Sequence, residues 1–322
     1  MSEIAEIQLK DLNVDEFIEK KVAEISSVVK DGSAVNALSG GVDSATVTML
    51  AHKALGTRLI SLFIDTGLMR HNEPQTIVSW FAELGIPVKL IDARDQFFAA
   101  LREKTDPEEK REAITQTFYK DVFGKLVQEM GATHLFQGTN YTDIEETVAG
   151  IKRQHNILEQ IGIDPLKSYG YKVIEPLIEL RKPAVRRIAK ALGLPGEIYE
   201  RPPFPGPALA ARVIGEVTPE RIETVRQATR IVEDCLSTSD AFQYLAILHE
   251  DKVTGVREGK RDFGMQIEIR CWDSEDAKTG SPTHLSYNIL EKIAEDITTQ
   301  VTDVVSVTYN ITKKPPSTIE AI

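Results

Sequence analysis

The stretch Ala34-Val35-Asn36-Ala37-Leu38-Ser39-Gly40-Gly41-Val42-Asp43-Ser44 decides the fold. Residues 34–38 suit a short buried strand, and the strand ends directly in a serine–glycine turn. From Ser44 to Leu55 the spacing predicts a helix. Strand, glycine turn and helix in that order open a nucleotide-binding parallel sheet, with the turn at the carboxyl end of its first strand. Gly40 and Gly41 let the backbone bend tightly, so that successive N–H groups can face phosphates. The helix N-terminus adds its positive dipole end. Ser39 and Ser44 supply hydroxyl donors, and Asp43 can help hold Mg²⁺ or cap the helix. A plain glycine turn with an Asp/Ser cap is the alternative reading of the same residues.

The loop is not a Walker A motif, because it lacks the Lys-Ser/Thr pair and the four-residue interval between glycines. A short loop that grips the β and γ phosphates together leaves the α phosphorus open to attack. The expected chemistry is therefore cleavage between α and β, with AMP transfer to a substrate oxygen and release of pyrophosphate.

Outward from the loop, strand and helix patterns alternate. Asp15–Val29 reads as an amphipathic helix, Arg58–Asp65 as a strand, Glu73–Leu84 as a helix, and Val88–Ile91, His134–Gln137 and Tyr171–Ile174 as further strands. Units of this length imply a doubly wound parallel sheet with helices on both faces. Thr105–Met130 reads as a long helical region. Asn140–Lys167 has no strand period and is either a lid over the site or a disordered connector. The proline cluster Arg201-Pro202-Pro203-Phe204-Pro205-Gly206-Pro207 marks a boundary, giving domains 1–200 and 201–322. Beyond it a helix (Pro219–Leu236), strands (Tyr244–Leu248, Phe263–Arg270, Val304–Ile311) and a helix near Leu285–Ile297 predict a smaller α+β domain.

The chain has 322 residues, enough for two cores, with 42% hydrophobic and 27% charged residues. Its net charge of −11 weighs against a nucleic-acid partner. No apolar run approaches the ~20 residues that span a bilayer, and the acidic N-terminus does not read as a signal peptide. The expected location is the cytoplasm. Cys235 and Cys271 have no CxxC spacing and read as structural thiols of a reducing compartment.

Ser39–Ser44 resembles the SGGxDS motif of N-type ATP pyrophosphatases, whose fold is adenine nucleotide alpha hydrolase-like. Within that group the chain resembles the synthetase subunit of GMP synthetases. The resemblance rests on Asp106-Pro107-Glu108-Glu109-Lys110-Arg111, Gln137-Gly138-Thr139, Glu175-Pro176-Leu177, Phe204-Pro205-Gly206-Pro207, Arg212-Val213-Ile214-Gly215-Glu216-Val217 and Lys314-Pro315-Pro316-Ser317-Thr318-Ile319-Glu320, in the family's order. It implies that the C-terminal domain dimerises, that the protein is a homodimer, and that ammonia comes from a glutaminase on a separate chain. It also implies roles. Ser39, Gly40, Gly41, Asp43 and Ser44 would bind ATP and Mg²⁺, with Asp43 as metal ligand. Lys182 would reach the phosphates, and Asp143 and Glu146 would be acidic residues of the site. Arg201 and Lys314 would hold the acceptor nucleotide's phosphate, with Ile319 and Glu320 at its base.

Departures from the family are concentrated away from the ATP loop. Lys-Ser-His-His-Asn becomes Lys152-Arg153-Gln154-His155-Asn156, leaving Lys152 as a catalytic candidate and His155 as either a general base or a capping residue. Lys-Asp-Glu-Val-Arg becomes Lys182-Pro183-Ala184-Val185-Arg186. Phe-Pro-Gly-Pro-Gly ends in Ala208, Gly-Asp-x-Arg appears as Glu258-Gly259-Lys260-Arg261, and the chain ends Ala321-Ile322. Kept ATP positions with drifting acceptor positions lead to the expectation of a specialised paralogue. It would adenylate GMP at its 6-oxygen, and sulfur would displace AMP to give a 6-thioguanine nucleotide. The sulfur would come from a cysteine desulfurase, since neither cysteine falls near the loop, and Ala113 is where a missing cysteine would be sought. The alternative is a conventional GMP synthetase subunit converting XMP and ammonia to GMP. A tRNA-thiolating enzyme and a non-catalytic nucleotide binder are the remaining classes. The acidic charge opposes the first and the intact loop the second.

Overall fold

A computed structural model describes residues 5–148, 171–202, 204–257, 259–275 and 278–321, without the side chains of 146–148. Helix α1 (Val14–Val29) starts at Asn13, whose side chain accepts a hydrogen bond from the Glu16 N–H, and it buries Phe17, Ile18, Ile25 and Val29. Strand β1 (Ala34–Leu38) is followed by helix α2 (Val42–Leu55). Then come β2 (Leu59–Asp65), α3 (Glu73–Glu83), β3 (Val88–Asp92), α4 (Arg94–Leu101) and α5 (Pro107–Gln116). The helical path continues through one π-helical stretch (Thr117–Phe123) into α6 (Gly124–Met130). After β4 (His134–Phe136) follow α7 (Tyr141–Val148), β5 (Lys172–Ile174), α8 (Lys182–Ala191) and α9 (Gly196–Tyr199).

The five strands form one all-parallel sheet in the order β3-β2-β1-β4-β5. The chain moves outward from β1 to β2 and β3, then returns to β4 on the other side. Strand β1 therefore borders the switch point, where the loop at its carboxyl end has room for a ligand. Helix α2 packs against β1, α1 and α8 and is buried along most of its length. Asn36, itself buried in β1, donates to the Ser44 carbonyl (3.5 Å) and to the Thr48 hydroxyl, locking strand to helix just behind the loop.

Contacts divide the chain into two compact units: residues 1–65, 73–92 and 116–201, and residues 66–72, 93–115 and 202–322. The proline cluster lies at the last crossing. Two shorter segments, after β2 and after β3, also belong to the second unit, although a single boundary at residue 200 places them in the first. Lys110 shows the physical reason: it is fully buried in the second unit, donating from Nζ to the Val213 carbonyl at 3.0 Å.

The second unit is built on α10 (Pro219–Cys235), the long antiparallel pair β6 (Gln243–Arg257) and β7 (Lys260–Asp273), β8 (Ser281–Pro282), α11 (Tyr287–Gln300) and β9 (Val304–Tyr309). Strand β9 pairs with β7 in parallel. Helix α10 begins with a Thr218 cap and Pro219, and packs Ile222, Val225, Ile231 and Val232 inward. Strands β6 and β7 run farther than the sequence pattern predicts. Past the irregularity at Leu248/Lys252, most β6 residues are exposed, so the hydrophobic alternation that betrays a strand is missing. Asn140–Lys167 does not begin as a loop: Asn140 caps α7, accepting from the Thr142 N–H at 2.9 Å. The rest of that segment lies outside the described residues.

Candidate active site

The Ser39–Ser44 loop is closed by its own hydroxyls. Ser44 Oγ accepts from the Ser39 N–H (3.1 Å) and donates to the Gly41 carbonyl (3.1 Å), and Ser39 Oγ lies 3.0 Å from it. Gly40 has φ +78°, which glycine tolerates and other residues adopt at a cost. Gly41 is the N-cap of α2, in extended conformation. Gly138, after β4, lies flat against the start of α2: a Cβ there would meet Asp43 Cβ at 3.1 Å and the Ser44 nitrogen at 3.2 Å. The Gln-Gly-Thr motif thus serves close packing as well as polar contact, and Thr139 continues it by donating to Glu175 at 2.5 Å.

Two cations reach the loop. Lys182, the first residue of α8, pairs with Asp43 Oδ2, which also accepts from Asn140 Nδ2 at 3.5 Å. Asp43 Oδ1 is buried and has no hydrogen-bond partner among the described residues. An unsatisfied carboxylate oxygen is costly, and one at a phosphate-type loop suits a hard cation such as Mg²⁺. No cluster of three or more His, Cys, Asp or Glu among the described residues forms a metal cage. Asp43 is thus the described residue whose free oxygen is placed to hold such an ion. Arg201 pairs with buried Glu73 at 2.6 Å, alongside Gly40.

Asp143 is one step removed from the loop: it accepts from the Asn140 N–H at 3.0 Å, and Asn140 in turn reaches Asp43. The Glu146 side chain, Lys152 and His155 lie outside the described residues. Lys314, Ile319 and Glu320 belong to the second unit. Lys314 pairs through its backbone with Gly280. Ile319 is buried against Leu245, Ile247 and Trp272. Glu320 accepts from Gln243 Nε2 at 2.6 Å and from fully buried Arg212 at 3.3 and 3.4 Å. Arg270 Nη1 donates to the carbonyls of Thr318, Ile319 and Glu320. Phe204 of the proline cluster has the guanidinium groups of Arg70 and Arg212 at 3.8 and 4.9 Å from its ring. Ala208 holds φ +54° and is buried, so it keeps a left-handed conformation that glycine would adopt without strain.

Sequence reasoning missed Glu73, Asn140 and Arg212 as members of these networks. Arg212 stands inside one of the family motifs, which was a signal. Glu73 and Asn140 are visible only as partners of Arg201 and Asp43.

Residues 12–121 match the family described as NAD synthase, and residues 232–321 the GMP synthase C terminal domain. A subunit of the glutamine-hydrolyzing GMP synthase of Archaeoglobus fulgidus is 49% identical over 96% of this chain and 99% of its own length. The corresponding protein of Pyrococcus furiosus is 44% identical over 95% and 97%. An NH3-dependent NAD synthetase structure from Campylobacter jejuni covers 59% of this chain and 77% of its own, with TM-score 0.46 and 18% identity. The loop, the parallel sheet and the two GMP synthase relatives define an ATP-dependent ligase of the N-type ATP pyrophosphatase class, acting on a nucleotide. The chain belongs to the family of these GMP synthase subunits.

Proposed function

We propose that this protein is the synthetase subunit of a two-chain GMP synthase, converting XMP, ATP and ammonia to GMP, AMP and pyrophosphate. The observation that carries the reading is end-to-end similarity to GMP synthase subunits, 49% and 44% identical, whose name pairs them with glutamine hydrolysis. In this reading a separate glutaminase chain delivers ammonia, and the second unit forms a homodimer. The thiolating expectation is set aside. Those relatives favour amination, and the described thiols give sulfur transfer no support. Cys235 and Cys271 both lie in the second unit, and burial pushes both thiols up, away from the nucleophilic thiolate. Ala113 also lies in a segment of that unit, not in that of the loop.

The loop N–H groups and the end of α2 receive the β and γ phosphates, while Lys182 supplies positive charge beside Asp43. Mg²⁺, when bound through Asp43, would neutralise phosphate charge. Held this way, the α phosphorus is left open to attack. The C2 carbonyl oxygen of XMP attacks it, the α–β bond breaks and pyrophosphate leaves. Ammonia then adds at C2 and expels AMP with the former carbonyl oxygen. Lys314, Ile319 and Glu320 would bind the acceptor. The test is to supply ATP, Mg²⁺, XMP and ammonium, and to weigh the nucleotide product. GMP formed with equimolar pyrophosphate supports the reading. A sulfur-bearing product from GMP and sulfide, without XMP amination, overturns it.

A further inference from the structure

The carboxylate and guanidinium behind Gly40 are unexplained by the loop's own chemistry. The position a Cβ would take on Gly40 is filled by Glu73 Oε1, 2.9 Å away, with Arg201 Nη1 at 3.8 Å. A carboxylate only 3% exposed, this close to an anion-binding turn, repels phosphate unless it is neutralised. Arg201 neutralises it, and it does so with one nitrogen. A guanidinium has five N–H donors. Among the described residues, Glu73 is the only hydrogen-bond acceptor of the Arg201 side chain, which stays about a quarter exposed.

The placement of Arg201 is not accidental to the loop. Its carbonyl accepts from Arg186 Nη2 at 3.3 Å, and Arg186 lies on α8, the helix whose first residue is Lys182. One helix therefore supplies Lys182 beside Asp43 and, through Arg186, holds the main chain of Arg201, whose guanidinium lies beside Gly40. Both belong to the unit that contains the loop, whereas Lys314, Ile319 and Glu320 belong to the other.

We propose that Arg201 binds the β,γ-diphosphate of ATP and then the pyrophosphate product, with Glu73 as its positioning residue. This rests on the loop's being the ATP site. It departs from the resemblance-based role of Arg201 as a holder of the acceptor's phosphate. Bidentate guanidinium contact with a diphosphate is the geometry arginine provides and lysine does not. Glu73 keeps the fork at the loop in the absence of ligand, so its orientation is set before ATP arrives.

The experiment measures direct binding of inorganic pyrophosphate and of MgATP, without acceptor, to wild type and to Arg201→Met, Arg201→Lys and Glu73→Gln. Steady-state KM values for ATP and XMP are taken alongside. Losing a hydrogen-bonded charge should weaken pyrophosphate binding by about ten- to hundredfold in Arg201→Met. Arg201→Lys should recover part of it. Glu73→Gln should cost less affinity and show mainly in kcat. KM for XMP should stay within about twofold of wild type, as expected of a contact the acceptor does not make. A rise in KM for XMP with pyrophosphate affinity unchanged overturns the proposal and returns Arg201 to the acceptor. Unchanged values for both ligands overturn it as well. If Arg201→Met does not fold, pyrophosphate affinity of Arg201→Lys decides the matter. The pyrophosphate measurement does not depend on XMP, so failure of the amination reading would leave it standing.

Discussion

Gly40 and Gly41 are adjacent, identical and part of one motif, yet their replacement by alanine should have unequal consequences. Gly40 sits at φ +78°, where an L-residue costs about 1–2 kcal/mol. Its new Cβ would also meet Glu73 Oε1 at 2.9 Å. That oxygen cannot yield freely, because it belongs to a buried carboxylate held by Arg201 at 2.6 Å. Displacing it weakens a charge-assisted hydrogen bond worth about 1.5–3 kcal/mol. The sum predicts a loss of about 2–4 kcal/mol for Gly40→Ala, allowing for partial relaxation. Gly41 has no positive φ, and its Cβ would meet only Ser39 Oγ at 3.4 Å, an ordinary contact. As an N-cap, Ala is poorer than Gly, so Gly41→Ala should cost under about 1 kcal/mol. Urea unfolding of the two variants, with no ligand present, separates them. Equal losses, or a Gly40→Ala variant within 0.5 kcal/mol (roughly the limit of significance for point mutants), would refute the reasoning about what fills the space behind the loop.

Lys182→Met removes the cation paired with Asp43 and should slow pyrophosphate formation about a hundredfold or more, read in single-turnover kinetics. Lys110 is fully enclosed, and burial pushes its ammonium down to about 8, with Arg221 adding to the effect. Between pH 8 and its unfolded value near 10.4 the unfolded chain binds the extra proton, so this group makes stability rise with pH across that window. The rise, at most about 3 kcal/mol, should be absent in Lys110→Met when the two proteins' unfolding free energies are compared at pH 7.5 and 10. Ala208→Gly relieves a buried left-handed alanine and should raise stability by about 1 kcal/mol, less the entropy glycine gains on unfolding; a loss of stability would show that Ala208 is not strained.

The parallel sheet was legible because each of its elements carries its own local signal. Residues 34–38 are nearly all buried, as a run of apolar residues suggests, and α2 follows its glycine turn within a residue or two of the expected start. The loop was legible for the same reason: its chemistry is contained in six consecutive positions. What could not be read is what arrives from a distance. Glu73 reaches Arg201 across 128 positions and Asn140 reaches Asp43 across 97, and no spacing rule connects such pairs. The allocation of residues 66–72 and 93–115 to the second unit was hidden likewise, since it depends on contacts such as Lys110 to Val213 rather than on composition. The outer half of β6 failed for a different reason. Strands exposed on both faces carry no alternation to detect. The drifting acceptor motifs pointed to a changed nucleophile, whereas the GMP synthase relatives favour the conventional alternative. At Ala208 the drift in residue leaves the backbone alone: it still takes the left-handed conformation that suits glycine.

The three hydrogen bonds from Arg270 to the carbonyls of residues 318–320 have a further consequence. They grip main chain, which every amino acid supplies in the same form. The exposed side chain of Thr318 can therefore be exchanged while the main chain around it stays in place, whereas Glu320 is tied through its carboxylate to buried Arg212 and to Gln243. A tail built this way keeps its path through its main chain and can vary at the one exposed side chain. A library randomised at Thr318, with Arg270, Arg212 and Glu320 retained, should yield proteins that unfold in urea at concentrations close to wild type.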